Sequence, residues 1–361
     1  MRSYQLAILL KDDHEVEIMG PTFGDGLYNI LPDNVTIKTI NTSPILPLPL
    51  TLFDKIPKKI NSDIIIASKL RISSFGIGLH VKNTHNIPLL LDIDEWDLGF
   101  RLNNGLIKAL AFSIPSIIHI NSYFWLKIME KLVNKADLIT VNNTWLQNKF
   151  GGKQIPHVRD DKVWNPELYD KKQARKLLNL DSNNKIIMFF GKPLPHKGIQ
   201  DLIAAFEMID DPYVNLHIVG APPEFSDSLN QFDKRNHIVT HQKVHFNRAP
   251  LWVTAADIMV APQRDQPSSH GQVPAKIMDC LAMGKPLVTT NVGSIPDVVG
   301  DAALISRPSN PASLYENINS LLVDEELCST LGERARQRYI DNFSNRILRN
   351  HLLDCINRLE K

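Results

Sequence analysis

The chain has 361 residues, 43% of them hydrophobic, with 40 Lys+Arg against 39 Asp+Glu. That length exceeds what one core organises and suits two domains. A net charge of +1 excludes a globally basic nucleic-acid binder, and the ordinary apolar content excludes a disordered or fibrous chain.

In chain order, Ser3–Leu10 reads as a helix, followed by a strand in His14-Glu-Val-Glu-Ile18 that runs on to Met19. A doubly wound domain opens on a buried strand and a glycine turn, so this first domain is expected to lack its first strand. No signal peptide is expected. Further strands are expected at Val35–Thr39, Asp63–Ala67, Pro88–Asp92 and Leu138–Val141, then at Lys185–Phe190, Asn215–Val219, Ile258–Ala261 and Pro286–Thr290. Each group is large enough for one open parallel sheet with crossover helices. The join is expected near Trp164-Asn-Pro166, ahead of a polar helix Asp170–Leu178. The domains are therefore 1–165 and 166–341, with a last helix, 342–361, crossing back to the first. Cys280, Cys328 and Cys355 have no metal-ligand spacing, and their odd count argues against a disulfide framework and for a reducing, cytoplasmic compartment.

Residues 106–132 read LIKALAFSIPSIIHINSYFWLKIMEKL, with apolar runs broken by Lys108, Pro115, His119 and Lys127. A membrane span needs about 20 predominantly apolar residues, which this stretch does not supply. Two readings fit it: a buried helix pair, or a surface helix in a membrane interface with Tyr123, Phe124 and Trp125 at headgroup level.

Chemistry concentrates at strand ends. Phe189-Phe-Gly-Lys-Pro-Leu-Pro-His-Lys-Gly198 places Gly191, Lys192 and Lys197 between a buried strand and a helix start. Ligands of open α/β sheets bind beyond the carboxyl ends of the strands, and helix N-termini favour phosphate. The competing reading is two solvated loop lysines. Downstream, Gly271-Gln-Val-Pro-Ala-Lys-Ile-Met-Asp279 opens a short helix on Pro274, with Lys276 and Asp279 at i and i+3. A surface ion pair between those two is the competing reading. In the first half, Asp92-Ile-Asp-Glu-Trp-Asp97 follows a strand. Carboxylates can hold sugar hydroxyls and Trp96 can stack on a sugar face, whereas a polar turn with an N-cap at Asp94 or Asp97 is the bland alternative. Arg159 either meets a phosphate or pairs with Asp160.

The ordered set GKP, HKG, AADIMVAPQRD and GQVPAKIMDCLAMGKPLVTTNVGSIPDVV resembles the family-4 retaining glycosyltransferases, over essentially the whole chain and most specifically over Phe189–Val299. The resemblance implies an α/β GT-B fold: two doubly wound Rossmann-like domains facing across a cleft. It implies a hexosyltransferase-type enzyme that moves sugar from a nucleotide-diphosphate donor to a hydroxyl of a sugar or lipid-linked acceptor, with retention, in polysaccharide or glycolipid assembly. Lys192 and Lys197 match the basic pair that holds the donor diphosphate and acts in catalysis. Asp279 matches the ribose-gripping acid, shortened from the usual glutamate. The first acid of the family's pair falls at Gly271, so that pair is broken. The backbone N–H groups of Gly271, Gln272 and Val273, with Lys276, are left to meet sugar or phosphate. On the acceptor side Asp94 is the catalytic candidate, with Asp92, Glu95, Trp96 and Arg159 beside it. The resemblance implies no cofactor and no required metal. The charge balance leaves no nucleic-acid partner expected, and the cytoplasmic reading of the cysteines is joined by an expected peripheral membrane contact through 106–132. A degenerate nucleotide-sugar-binding protein and a nucleotide-sugar epimerase on the same fold are the rival readings.

Overall fold

The computed structural model describes residues 2–23, 35–45, 48–103, 105–113, 118–229 and 237–360. They form an α/β protein in two compact units, and the strands named below all pair in parallel.

The first unit comprises residues 1–158, 270–272 and 346–361. It opens on helix Arg2–Leu10, followed by strands β1 (Glu17–Thr22) and β2 (Thr36–Asn41). Next come β3 (Ile65–Ser68), β4 (Leu89–Ile93), β5 (Leu138–Val141) and β6 (Lys153–Gln154). One sheet was expected here, but among the described residues β1 pairs only with β2, while β3-β4-β5-β6 form a separate four-stranded sheet. The physical reason lies in β1. Thr42 donates its N–H to Thr22, so Thr22 and Gly20 face β2. Pro21 faces the opposite edge and has no N–H to give a further strand there. In the four-stranded sheet β4 is central and fully buried, as its unbroken Leu-Leu-Leu run requires of a strand covered on both faces. Helix Asn345–Leu359 adds Leu348, Leu352 and Ile356 to the cluster formed by Leu6, Leu9, Leu10 and Leu90.

Region 106–132 fits neither sequence reading as a whole. Helix Leu106–Ser113 exposes Leu106, Ile107 and Leu110 while burying Ala109. Helix Tyr123–Lys131 buries Leu126 and Met129 and exposes Phe124. Pro115 lies outside the described residues. Among the described residues, no helix is long and apolar enough to cross a membrane.

The second unit comprises residues 159–269 and 273–345. Its strands are β7 (Lys185–Phe190), β8 (Val214–Val219), β9 (Ile238–His241), β10 (Ile258–Ala261), β11 (Leu287–Thr290) and β12 (Leu304–Ser306), ordered β12-β11-β10-β7-β8-β9. Alternate residues of β7 serve the two faces: Ile186 and Met188 join one core cluster, Ile187 and Phe189 the other. The order reverses between β7 and β10, which makes their carboxyl ends the switch point where such sheets take ligands. Asp170 caps helix Lys171–Leu177 by accepting from the Gln173 N–H.

Candidate functional site

The switch point of the second unit is built from two loops in contact. After β7 the chain turns at Gly191, passes a short 3-10 turn at Pro195–Lys197 and enters helix Ile199–Phe206 through Gly198. Gly198 sits at φ +70°, and a Cβ there would lie 1.7 Å from the Pro262 carbonyl oxygen. Only glycine lets the loop after β7 approach the loop after β10 so closely. The Arg264 N–H donates to the His196 carbonyl at 2.9 Å. Its guanidinium grips Asp201 at 2.7 and 2.6 Å. The loop is thereby fixed before any ligand arrives.

Three lysines were expected here, and the structure ranks them by depth. Lys192 is exposed, Lys197 half-buried and Lys276 buried. Lys276 projects from helix Ala275–Ala282 and is 7% exposed. Its ammonium lies 3.3 Å from the centroid of the Phe189 ring. Its Cε is 3.9 Å from where a Gly191 Cβ would stand. Burial first, then the neighbouring Lys197, holds its amine well below the usual lysine range, against weaker pulls from Cys280 and Asp279. The same loop holds His196, which burial, Lys197 and Lys276 push down to about 4.

The ion pair between Lys276 and Asp279 that i,i+3 spacing suggests is not formed. Asp279 instead receives the Arg159 Nε, with both side chains buried. Arg159 also donates to the Ala275 carbonyl at 2.8 Å and lies 5.4 Å from the centroid of the Trp164 ring. The expected pairing of Arg159 with Asp160 is therefore replaced by a pairing 120 positions away. Burial raises the Asp279 carboxyl, while Arg159 and Lys276 lower it.

In the first unit the run after β4 divides by role. Asp92 is 0% exposed and committed to the core. It receives two Arg2 nitrogens, each at 2.8 Å, and the Thr140 hydroxyl at 2.9 Å. Its expected acceptor role is thus taken by a structural one. Asp94 is 8% exposed, and its Oδ1 lies 3.2 Å from the Lys69 ammonium but lacks an aligned hydrogen bond among the described residues. Burial raises the Asp94 carboxyl, yet Lys69, Arg2 and His157 together hold it below the usual carboxylate range. Glu95 is pushed the other way, by burial and by the Asp94 and Asp97 charges, although Lys69 also contacts it. Lys69 occupies φ +80°, a conformation costly for a residue with a Cβ. Asp97 pairs with Arg71, and helix Asp97–Leu102 has no side-chain cap.

Trp96 is not a free stacking platform. Its indole N–H donates to Glu130 at 2.6 Å, Trp145 packs at 5.1 Å between centroids, and Lys149 lies 4.8 Å from its ring centroid. Residues 270–272 belong to this unit. A Cβ on Gly271 would stand 2.5 Å from the Trp96 Cβ. Asn143 donates to the Gly271 carbonyl at 3.2 Å, and the Gln272 amide to Glu95 at 3.1 Å. Val273, the next residue, is buried in the second unit. The site residues that sequence reasoning missed are Phe189 under Lys276, Arg2 against Asp92 and Lys69 between two carboxylates. Each is a partner distant in sequence, and no local spacing announces it.

The family described as glycosyl transferases group 1 matches residues 170–338. Those residues contain β7 to β12 and the lysines of the switch point. The N-acetyl-alpha-D-glucosaminyl L-malate synthase of Bacillus anthracis is 30% identical over 225 residues, 58% of this chain and 57% of that protein. The capsular polysaccharide biosynthesis glycosyltransferase CapM of Staphylococcus aureus is 26% identical over 251 residues, 67% of this chain and 61% of that one. The chain thus spans about three fifths of the length of these relatives. Among solved structures, Anabaena Alr3699/HepE in complex with UDP-glucose superposes with a TM-score of 0.76 at 17% identity, covering 99% of this chain and 96% of that one. WaaG, a glycosyltransferase involved in lipopolysaccharide biosynthesis, gives 0.71 at 12% identity, covering 98% and 94%. The fold is that of the GT-B glycosyltransferases.

Proposed function

We propose that this protein is a glycosyltransferase that moves a sugar from a nucleotide-diphosphate donor to a hydroxyl acceptor with retention, in polysaccharide or glycoconjugate assembly. The observation that carries this reading is the meeting of Lys197 and Lys276 beyond β7, where the strand order reverses. Bond breaking puts negative charge on the leaving diphosphate, and preorganised cations in a partly dry site stabilise it strongly. Lys197 and Lys192 supply that charge directly. The family likeness of residues 170–338 and the UDP-glucose held by HepE support a nucleotide-sugar donor. On the first unit the acceptor hydroxyl is assigned to Asp94, whose carboxyl is held low while that of Glu95 beside it is pushed up. Asp279 is assigned to the ribose through the oxygen that Arg159 leaves. The leaving phosphate oxygen takes the acceptor proton, and no metal is required.

The test is a panel of nucleotide sugars incubated in EDTA with soluble sugars and with lipid extract, followed by product analysis. A glycosidic product of retained configuration is expected; loss of transfer in EDTA overturns the metal-free step. One observation favours a second reading, a nucleotide-sugar-binding protein without transfer: Gly271 has no room for a side chain. Nucleotide binding with no product from any acceptor selects it. We further propose that the first unit meets the cytoplasmic face of a membrane through the exposed side of helix Leu106–Ser113.

A further inference from the structure

Lys276 is built unlike the other two lysines of the site. Its side chain is sunk to 7% exposure. It makes no hydrogen bond and no ion pair with any described residue, and its one contact of note is the face of Phe189 at 3.3 Å. An aromatic face offsets about 2 kcal/mol for a desolvated cation, whereas burying an unpaired ammonium costs several. The ring therefore does not make the charged form comfortable.

The surrounding groups do not repair this. From the loop after β7, Lys197 adds a like charge, and burial, ahead of any neighbouring charge, holds the His196 imidazole down. Lys192 of that loop is exposed. From Lys276's own helix, the Asp279 carboxylate is already engaged by Arg159, and the Cys280 thiol is pushed up by burial and stays protonated. From β7 comes only the Phe189 ring. The site lacks one negative charge, and the donor's diphosphate supplies it.

We propose that Lys276 is an uncharged amine in the unliganded protein and captures one proton from solvent when a nucleoside diphosphate binds. The inference rests on the donor reading above. No covalent bond changes: solvent loses a proton, the amine gains it, and the resulting ammonium pairs with the diphosphate. Burial and Lys197 set the amine low beforehand, and the arriving anion opposes both by favouring the charged form. Such an arrangement makes the nucleotide part of its own binding site, since the ammonium it needs is created by its arrival. The affinity must then fall as pH rises, because the proton to be captured grows scarcer.

The experiment is titration calorimetry of the full chain with UDP, and with GDP and ADP as further probes, at about pH 8.5 in buffers of different ionisation enthalpy. That pH is well above the second ionisation of a terminal phosphate, near about 6, so the ligand itself contributes little. Uptake approaching about one proton and an affinity falling up to about tenfold per pH unit are expected. Lys276→Met should abolish the uptake, weaken binding and, by removing a buried unpaired amine, leave the unliganded protein at least as thermally stable. Binding without proton uptake and with flat affinity overturns the inference while leaving the donor reading intact. Absence of binding by all three diphosphates overturns both. Wild-type titrations alone decide the point should Lys276→Met fail to fold.

Discussion

At the scale of residues, the site separates groups that act on a ligand from groups that hold those groups. Lys197 belongs to the first kind under the proposed function. Replacing it by alanine should lower turnover about 100-fold or more, the usual effect of losing one transition-state donor; steady-state transfer rates with folding confirmed by circular dichroism check this. Arg159 belongs to the second kind. Arg159→Ala strands Asp279 in a buried site, and losing one partner of a buried pair costs about 3–5 kcal/mol. A large fall in thermal midpoint is therefore expected for Arg159→Ala, with a smaller one for the Arg159→Ala, Asp279→Ala double variant, in which no charge is left unpaired. The loop lysines were legible because glycine, proline and basic residues cluster where a strand ends. The Arg159–Asp279 pair was not, because nothing within either segment points to the other.

Elements of one character throughout were the easiest to read. β7, β8, β10 and β11 are buried apolar runs bounded by turns, and each was anticipated within a residue or so. Three edge strands were missed: β6 has two residues and β12 three, too few to show a period, and β9 ends on a histidine that stacks on His217. One such junction is sensitive to acid. Ahead of β10, Asp257 accepts from Lys171, from Arg175 and from the Ile186 N–H at the start of β7. Burial raises its carboxyl, but Lys171, the Ile186 N–H and Arg175 outweigh this and leave it below the ordinary aspartate value of 3.8. Its contribution is thus complete above that ordinary value and fades as pH falls through the depressed one. Asp257→Asn should lower stability at neutral pH and flatten the loss of stability below about pH 4, read from denaturation midpoints across pH. At helix Leu106–Ser113, Ile107 is 84% exposed. Ile107→Glu should abolish co-sedimentation with anionic lipid vesicles without changing the thermal midpoint; unchanged vesicle binding counts against the membrane contact.

For the molecule as a whole, the alternation of strands and helices was enough to give the fold class, and the motif order pointed to the family that matches residues 170–338. What composition could not show is that a short middle stretch, residues 270–272, joins the first unit. The short middle stretch is held by Asn143 and Glu95, and its glycine has no clearance. Gly271→Glu should therefore lower the thermal midpoint and leave transfer no better than wild type. A variant that transfers faster at unchanged stability would overturn the tight packing.

The closeness of Gly271 to Trp96 also constrains the routes by which this chain can change. An acid at 271 meets the indole's own Cβ, 175 positions earlier in the sequence, so neither site is free to drift alone. A larger residue at 271 becomes tolerable only after the backbone around position 96 has shifted. That shift in turn disturbs Trp145, Glu130 and Lys149. Mutational steps here are order-dependent: the same substitution is harmful first and acceptable last. Libraries that vary 271 singly will therefore return glycine, whatever sugar is offered for selection.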